Sequence, residues 1–471
     1  MQPDTIRIAQ AQVRLNDPHA ITDSRTLLNL RDALHDALVR RTPAGTFEPS
    51  LATEWTVAAD AQTWTFSIRD DARFHDGRQV RASDVAASIL RAASPAAGGE
   101  MATEGVLASY FEGAEVTEQS PGTVRITMGQ PMADLLDLLV DIVILPNGEP
   151  TSEVPVGAGA YRLSEIAEGR IVMDAVEDHW RGQPLAQRIE WLAVPDAAER
   201  ARLLSDNAVD LAIGLGVAEQ QMLAQAESVT LLTSNGSLCV AFLLNASAGP
   251  CTDARVRQAL NHALDTDRVI AEVAGGAARP LNGPFTPLHF GHDPAVPRYP
   301  HDPDRARALL AEAGYPDGLS LTIDVPTRLP DEALELASAL QRDCQTIGVE
   351  IRLRVHEDRL AYARMVRAKQ IGDGCCFDSS PLSTYRVLRE KIHAGVAGPW
   401  WQGYVNRDVD ALIDRATATV DDTERQAIYR RAYQTIRDDA PWIFLYTPLL
   451  IDGAGPRLSG WQPASNGLAR F

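Results

Sequence analysis

Between Asp302 and Val355 the chain carries two helices with explicit ends and a strand directly after the second. That order limits the fold more than any other feature. In HDPDRARALLAEAGYPDG, Asp302 is the N-cap and Pro303 takes the first helical position. Gly314 supplies the stop and Pro316 forbids continuation. In DEALELASALQRDCQTIG, Leu336, Leu340, Cys344 and Ile347 recur three or four residues apart as one buried stripe. Cys344 is therefore read as a small core residue. VEIRLRV (Val349–Val355) then alternates as a strand. A helix feeding a strand in this way is half of a βαβ unit, and the same alternation elsewhere sets the class as α/β.

Other segments fit this class. TWTFSI (Thr63–Ile68) and TVRITM (Thr123–Met128) are alternating strands, and Pro131 ends the second. His75-Asp76-Gly77 is a turn, after which Ser83 is expected to cap a helix whose apolar face includes Val85, Ile89 and Leu90. An apolar helix starts near Asp134, and two late helices span Asp408–Val420 and Asp422–Asp438. APWIFLYTPLLI (Ala440–Ile451) is a buried strand run. SLCVAFLLNASAGPC (Ser237–Cys251) ends in a Pro/Gly turn before a helix, which marks a crossing between two large halves.

Charge and motifs exclude several functions. The formal net charge of −19 opposes phosphate neutralisation, so nucleic acid is not an expected partner, and it suits a protein that stays monomeric. LLDLLVDIVILP (Leu135–Pro146) is about half a membrane span and is broken by Asp137 and Asp141. MQPDTIRIAQ has neither the basic nor the apolar part of a signal peptide, so the chain reads as cytoplasmic or as a mature form. No G-x-S-x-G, H-E-x-x-H, P-loop or G-x-G-x-x-G is present. GAGAY (Gly157–Tyr161) imitates a phosphate loop for four residues only. The histidines form no i, i+4 pair, and no cofactor or protein-held metal is expected.

GDGCCFDSSP (Gly372–Pro381) is the unusual stretch. Cys375 and Cys376 are adjacent and precede Asp378 by three and two residues. They belong to an odd set of five cysteines without C-x-x-C, so no disulfide framework follows. A nucleophilic Cys375 or Cys376 would need a low-pKa thiol and an oriented histidine, and the sequence places no such histidine.

Over nearly its whole length the chain resembles the extracytoplasmic solute-binding proteins of peptide, opine and nickel ABC importers. The most specific block is GTFEPSLATEWTVAADAQTWTFSIRDDARFHDGRQVRASDV (Gly45–Val85). GQPMADLL, VPVGAGAYRL, VRQAL (Val256–Leu260), DRARALLAEAGYPDG, YVNRDVDALIDRA and ERQAIYRRAYQTIRDDAPWIFLY follow in family order. Ala158 and Ala160 depart from the family's G-T-G-P-Y. The resemblance implies a periplasmic mature chain with two α/β lobes, mixed sheets, hinge strands and an extra subdomain in the first lobe. Lobe I would comprise residues 1–238 and 447–471, with the subdomain at about 45–150, and lobe II residues 239–446. It also implies capture of a short peptide or peptide-like zwitterion between the lobes and delivery to a permease, with no chemical step. A nickel chelate or an opine is the alternative cargo.

The resemblance further implies that Asp378, in a second-lobe loop, pairs with a ligand ammonium. The alternative is that Asp378 only caps a helix starting near Pro381. Cys375 stands where the family carries tryptophan, so Cys375, Cys376, Phe377 and Ser379 would border a reshaped pocket. Asp23, Ser24 and Arg25 are the nearest first-lobe residues. Arg25 is read either as a partner for a ligand carboxylate or as a solvated surface arginine. Trp400, Trp401 and Tyr404 are read either as core or as a stacking surface. Arg386 and Arg389 could balance Asp378 or simply be exposed.

Overall fold

The computed structural model describes every residue except 1–3, 22–23, 43–44, 98–104, 149, 151–153, 227 and 329. Two units are distinguished, residues 1–234 with 450–471, and residues 235–449.

In the first unit the elements run β1 (Thr5–Gln10), α1 (Arg25–Leu34), β2 (Val39–Arg41), β3 (Phe47–Pro49), β4 (Ala52–Val57), β5 (Thr63–Ile68), α2 (Ala82–Ala92), β6 (Glu115–Ser120), β7 (Thr123–Thr127) and α3 (Leu135–Leu139). They continue through β8 (Tyr161–Ala167), β9 (Arg170–Ala175), β10 (Arg188–Ala193), α4 (Ala197–Ser205), β11 (Leu211–Leu215), α5 (Val217–Leu223) and β12 (Thr230–Asn235). Strand β1 lies parallel to β10 and β11, and β10, β9 and β8 continue antiparallel. Strands β4-β5-β7-β6 form a separate antiparallel sheet. Its apolar side follows from alternation: Trp64 lies opposite Ile126 and Phe66 opposite Val124, all four buried.

Helix α2 differs from expectation in two details. It begins at Ala82, so Ser83 is inside it and not its cap. Instead Asp84 reaches back to accept the Arg81 N–H at 2.9 Å. Leu90 is 52% exposed, because Val85, Ile89 and Ala92 occupy the inward stripe and Leu90 falls about a quarter turn away.

The second unit continues with β13 (Cys239–Leu244), α6 (Ala254–Ala263), α7 (Thr266–Val273), β14 (Ala278–Pro280), α8 (Pro303–Glu312), β15 (Leu319–Pro326), α9 (Ala333–Gln345), β16 (Val349–His356) and α10 (Arg359–Arg367). It ends with β17 (Gly374–Ser379), α11 (Thr384–Lys391), α12 (Arg407–Thr417), α13 (Asp422–Asp439) and the long β18 (Trp442–Ala454), whose last residues pair with β11 in the first unit. The sheet order is β16-β15-β17-β13-β18. β15 is parallel to β16 and β17, and β13 is antiparallel to β17 and β18. Helix α9 is the crossover from β15 to β16 and buries Leu336, Leu340 and Cys344, with Ile347 just after it. Asp302 caps α8 by accepting the Arg305 N–H at 2.9 Å, and Gly314 takes the positive φ (+92°) that ends it.

The core of GDGCCFDSSP, Gly374–Ser379, is therefore a central strand and not a loop. Its alternation feeds two cores. Cys376 packs with Val240, Phe242 and Ile323 on one face, whereas Cys375 and Phe377 pack with Ala241, Leu243 and Tyr362 on the other.

Candidate functional site

The site is built at the end of β17. Within this strand every residue is buried except Asp378, which is half-buried. Asp378 lies opposite Val240 of β13, and Val240 lies opposite Tyr446 of β18. Directly opposed residues share a sheet face, so Asp378 and Tyr446 are on the side that carries Cys376. The Tyr446 hydroxyl donates to Glu332 Oε1 at 2.8 Å, and Glu332 sits at the cap position of α9. Burial pushes the Cys376 thiol up, and Cys375, Asp378 and Glu332 push it further. Burial, followed by Glu332, does the same to the Tyr446 phenol. The result is a pair of half-buried carboxylates, Asp378 and Glu332, around a buried phenol and thiol. Such a place favours a cation over an anion.

The strand is held by a second carboxylate group beneath it. Asp324 of β15, in register with Cys375, is fully buried. It accepts from Arg354 Nε at 2.5 Å and Nη2 at 2.8 Å, from His356 Nε2 at 2.6 Å and from Gly372 N at 2.7 Å. Burial pushes this carboxyl up, but the bonds from Arg354, Gly372 and His356 outweigh it and leave it below the ordinary carboxylate range. The Tyr362 hydroxyl donates to Cys376 O at 2.5 Å. These contacts fix β17 and so fix where Asp378 emerges.

Helix α11 begins at Thr384, three residues beyond Pro381, and its cap is Ser383, whose Oγ accepts from Arg386 N at 3.2 Å. Capping of that helix by Asp378 is thereby overturned, because the cap position is filled by Ser383. Arg386 Nε donates to Glu390 Oε1 at 3.1 Å on its own helix, and Arg389 donates to the Tyr385 hydroxyl at 3.2 Å. Ser379 is buried, and its hydroxyl has no partner among the described residues. Trp400 packs on Phe377 with ring centroids 5.3 Å apart, on the face opposite Asp378. Trp401 Nε1 donates to Tyr404 O at 2.6 Å, and buried Tyr404 donates to Asp439 Oδ2 at 2.6 Å. The aromatic tract and Asp378 are not brought together on one face.

In the first unit Asp23 lies outside the described residues. Ser24 occupies the cap position of α1, with Oγ 3.1 Å from Thr26 Oγ1. Arg25 is neither solvated nor available for a ligand carboxylate. It grips buried Asp452 through Nη1 at 3.0 Å and Nη2 at 2.5 Å, and donates Nε to Gly467 O at 2.8 Å. A bidentate pair of this kind is already complete.

Sequence reading missed Glu332 and Tyr446. It also missed Arg328, an exposed cation in the turn between β15 and α9. β15 runs parallel to β17 with Asp324 beside Cys375, so the turn that follows Pro326 leaves the sheet next to Asp378's end of β17. The one available signal was positional: polar residues at the carboxyl ends of two adjacent parallel strands.

The family description "Bacterial extracellular solute-binding proteins, family 5 Middle" matches residues 46–384. The chain belongs to this family. Like the family-5 proteins of known structure, it has the two-lobed periplasmic binding protein fold. This family-5 chain is 26% identical over 502 aligned positions to the di/tripeptide-binding protein 2 of Pseudomonas aeruginosa, covering 98% of this chain and 93% of that one. Its fold matches HbpA2 from Haemophilus parasuis with a TM-score of 0.88 at 22% identity, over 99% and 98% of the two chains. It matches DppA from Helicobacter pylori, solved with the peptide STSA, with a TM-score of 0.78 at 24% identity, over 99% and 96%. No helix among the described residues is long and apolar enough to cross a membrane.

The cysteine-nucleophile alternative fails in this family-5 protein. All five cysteines are free and buried. Burial drives the Cys375 thiol well above its ordinary value, the reverse of an activated thiol, and Cys239 and Cys251 rise to about 12. The expected result is that a thiol reagent such as DTNB titrates none of them in the native protein and all of them after full unfolding. Rapid native labelling of Cys375 or Cys376 would show that β17 is not buried as described.

Proposed function

We propose that the chain is the extracytoplasmic solute-binding component of an ABC importer and that its cargo is a short peptide or peptide-like zwitterion. The observation carrying this reading is Asp378, the one residue of β17 that is not fully buried, with Glu332 and Tyr446 beside it. A ligand ammonium there would form a charge-assisted hydrogen bond with Asp378 in a poorly solvated setting. Arg328 is an exposed cation in the turn that follows β15, the strand parallel to β17, and is suited to the ligand's carboxylate. Cys375 and Cys376 contribute small volume under the site and no ligand surface. Membership of the family supports extracytoplasmic location, partnership with a membrane permease and the absence of a chemical step. The names of the peptide-binding relatives support the cargo class.

Asp378→Asn keeps shape and removes charge. It is expected to weaken binding of a dipeptide with a free amine about 100-fold, or ~3 kcal/mol, while leaving the melting temperature nearly unchanged. Calorimetry with a dipeptide, its N-acetyl derivative, an opine and nickel–histidine checks this. Equal affinity of wild type and variant for the free dipeptide would remove Asp378 from the site. Tight binding of the opine or the nickel chelate alone would replace the cargo class.

A further inference from the structure

The first unit holds a feature that the solute reading does not use. Where α1 ends and β2 begins, a small cavity of about 30 Å³ is lined by Asp32, His35, Asp36, Arg40, Arg181 and Arg470, with valines closing the rest. This volume suits one water or an ion of similar size. Three guanidinium groups face two carboxylates, and both carboxylates are already taken. Asp32 is paired with Arg31 and with Arg470, each at 3.1 Å. Asp36 is paired with Arg181 and accepts from Trp180 Nε1 at 3.2 Å.

Arg40 is left over. It is half-buried on β2 and, among the described residues, its side chain makes no hydrogen bond or ion pair. Glu48 lies opposite it in the β2–β3 register but is exposed and makes no ion pair with it. Burial, with Arg181 and Arg470 adding repulsion and Asp36 and Asp32 only partly opposing them, lowers the Arg40 guanidinium to about 10. Among the described residues the His35 ring is also without a hydrogen bond. Its Nδ1 is sealed and lies close to Gly157, and the residue lines the cavity. An unpaired arginine and an unpaired imidazole at one polar cavity leave a surplus of donors and of positive charge, in a protein whose overall charge is −19.

We propose that this cavity is a small-anion site, in which Arg40 and the neutral His35 N–H bind a halide ion or one carboxylate group. The requirement is chemical: a singly charged acceptor of about the size of a water satisfies both orphan groups, and a water satisfies the hydrogen bonds but not the charge. The ligand is a free anion, and the test sets it apart from the carboxylate of the transported solute.

The probe is sodium formate, titrated at constant ionic strength against sodium gluconate, whose anion is too large for the cavity. Binding is followed by calorimetry and by the melting temperature of the full chain. Wild type is expected to bind formate saturably, and Arg40→Gln to lose affinity at least tenfold. His35→Gln, measured in parallel, is expected to weaken formate binding and serves if Arg40→Gln does not fold. The second arm measures a dipeptide and its C-terminal amide on wild type and Arg40→Gln. Loss of affinity for the acid only would overturn the free-anion assignment. Unchanged dipeptide affinity with lost formate binding assigns it to a free anion. Formate acting equally on wild type and both variants overturns the proposal. That outcome leaves the Asp378 reading intact, because Asp378 is tested by the ligand's amine.

Discussion

Gly157→Ala is expected to cost about 4 kcal/mol or more and to lower the melting temperature by roughly 4 °C. A methyl group at 157 would stand 1.8 Å from Leu34 O and 2.6 Å from His35 Nδ1. At Gly159 it would stand 2.4 Å from Ala33 O. The carbonyl oxygens are backbone atoms at the C-terminus of α1, and no rotamer change moves them. The segment is also tied on every side. His75 N donates to Gly157 O at 2.8 Å and Gly157 N donates to His75 Nδ1 at 3.2 Å. Gly159 N donates to Leu34 O at 3.0 Å, and His179 Nε2 lies 3.1 Å from Ala158 O. Relief would have to break several of these bonds together, which places the change among the rare large effects. Gly122→Ala is the control, since its methyl group would meet nothing closer than Ile68 O at 3.8 Å. Denaturant unfolding of both variants decides the matter. A Gly157→Ala protein as stable as Gly122→Ala would mean that the segment does not press on α1.

The same segment shows what could be read from sequence. Its glycines read only as a broken-off imitation of a phosphate loop, whereas what they approach is a helix end more than a hundred residues earlier. Local signals carried well wherever one element contains its own reason: the Asp302 cap, the α9 stripe and the alternation of β5. They failed where a neighbour decides. GDGCCFDSSP looked like a loop because its glycines and proline flank only a short apolar run, yet its partners β13 and β15 supply the ladder. Ser83 lost the cap to Asp84, which also accepts from Asn147 N at 2.8 Å. Arg25 could not be matched to Asp452 across 427 residues. At the candidate site Asp378 was singled out by family resemblance alone. Glu332 and Tyr446 join it through strand order, which sequence alone does not state.

Acidification from pH 6.5 to 4.5 is expected to destabilise the first unit steeply, ahead of any carboxylate effect. His35 is lowered from 6.5 to about 3, first by burial, then by His75, His19 and Arg31, with Asp36 opposing. His19 is lowered to about 4, first by burial, with its bond to Val143 O opposing and Arg91 adding to the shift. Burial lowers His75 as well. Above pH 6.5 each is neutral whether the chain is folded or not, and contributes no pH dependence. Below it the unfolded chain takes up protons that the folded chain refuses. Each group then removes about 1.4 kcal/mol of stability per pH unit until its folded value is reached. His19 and His35 together give a slope near ~3 kcal/mol per pH unit. The paired carboxylates Asp17, Asp32 and Asp36 act later. Burial raises each of them, but their arginine partners outweigh it and hold all three below 3.8. Their stabilisation is complete above 3.8 and is lost only as pH falls through the folded values. Urea unfolding at closely spaced pH values measures the slope. His35→Gln should reduce it by about one proton's worth, because glutamine has no proton to gain at position 35. A wild-type stability that stays flat between pH 6.5 and 4.5 would mean that these imidazoles are solvated, and with them the cavity beside Arg40.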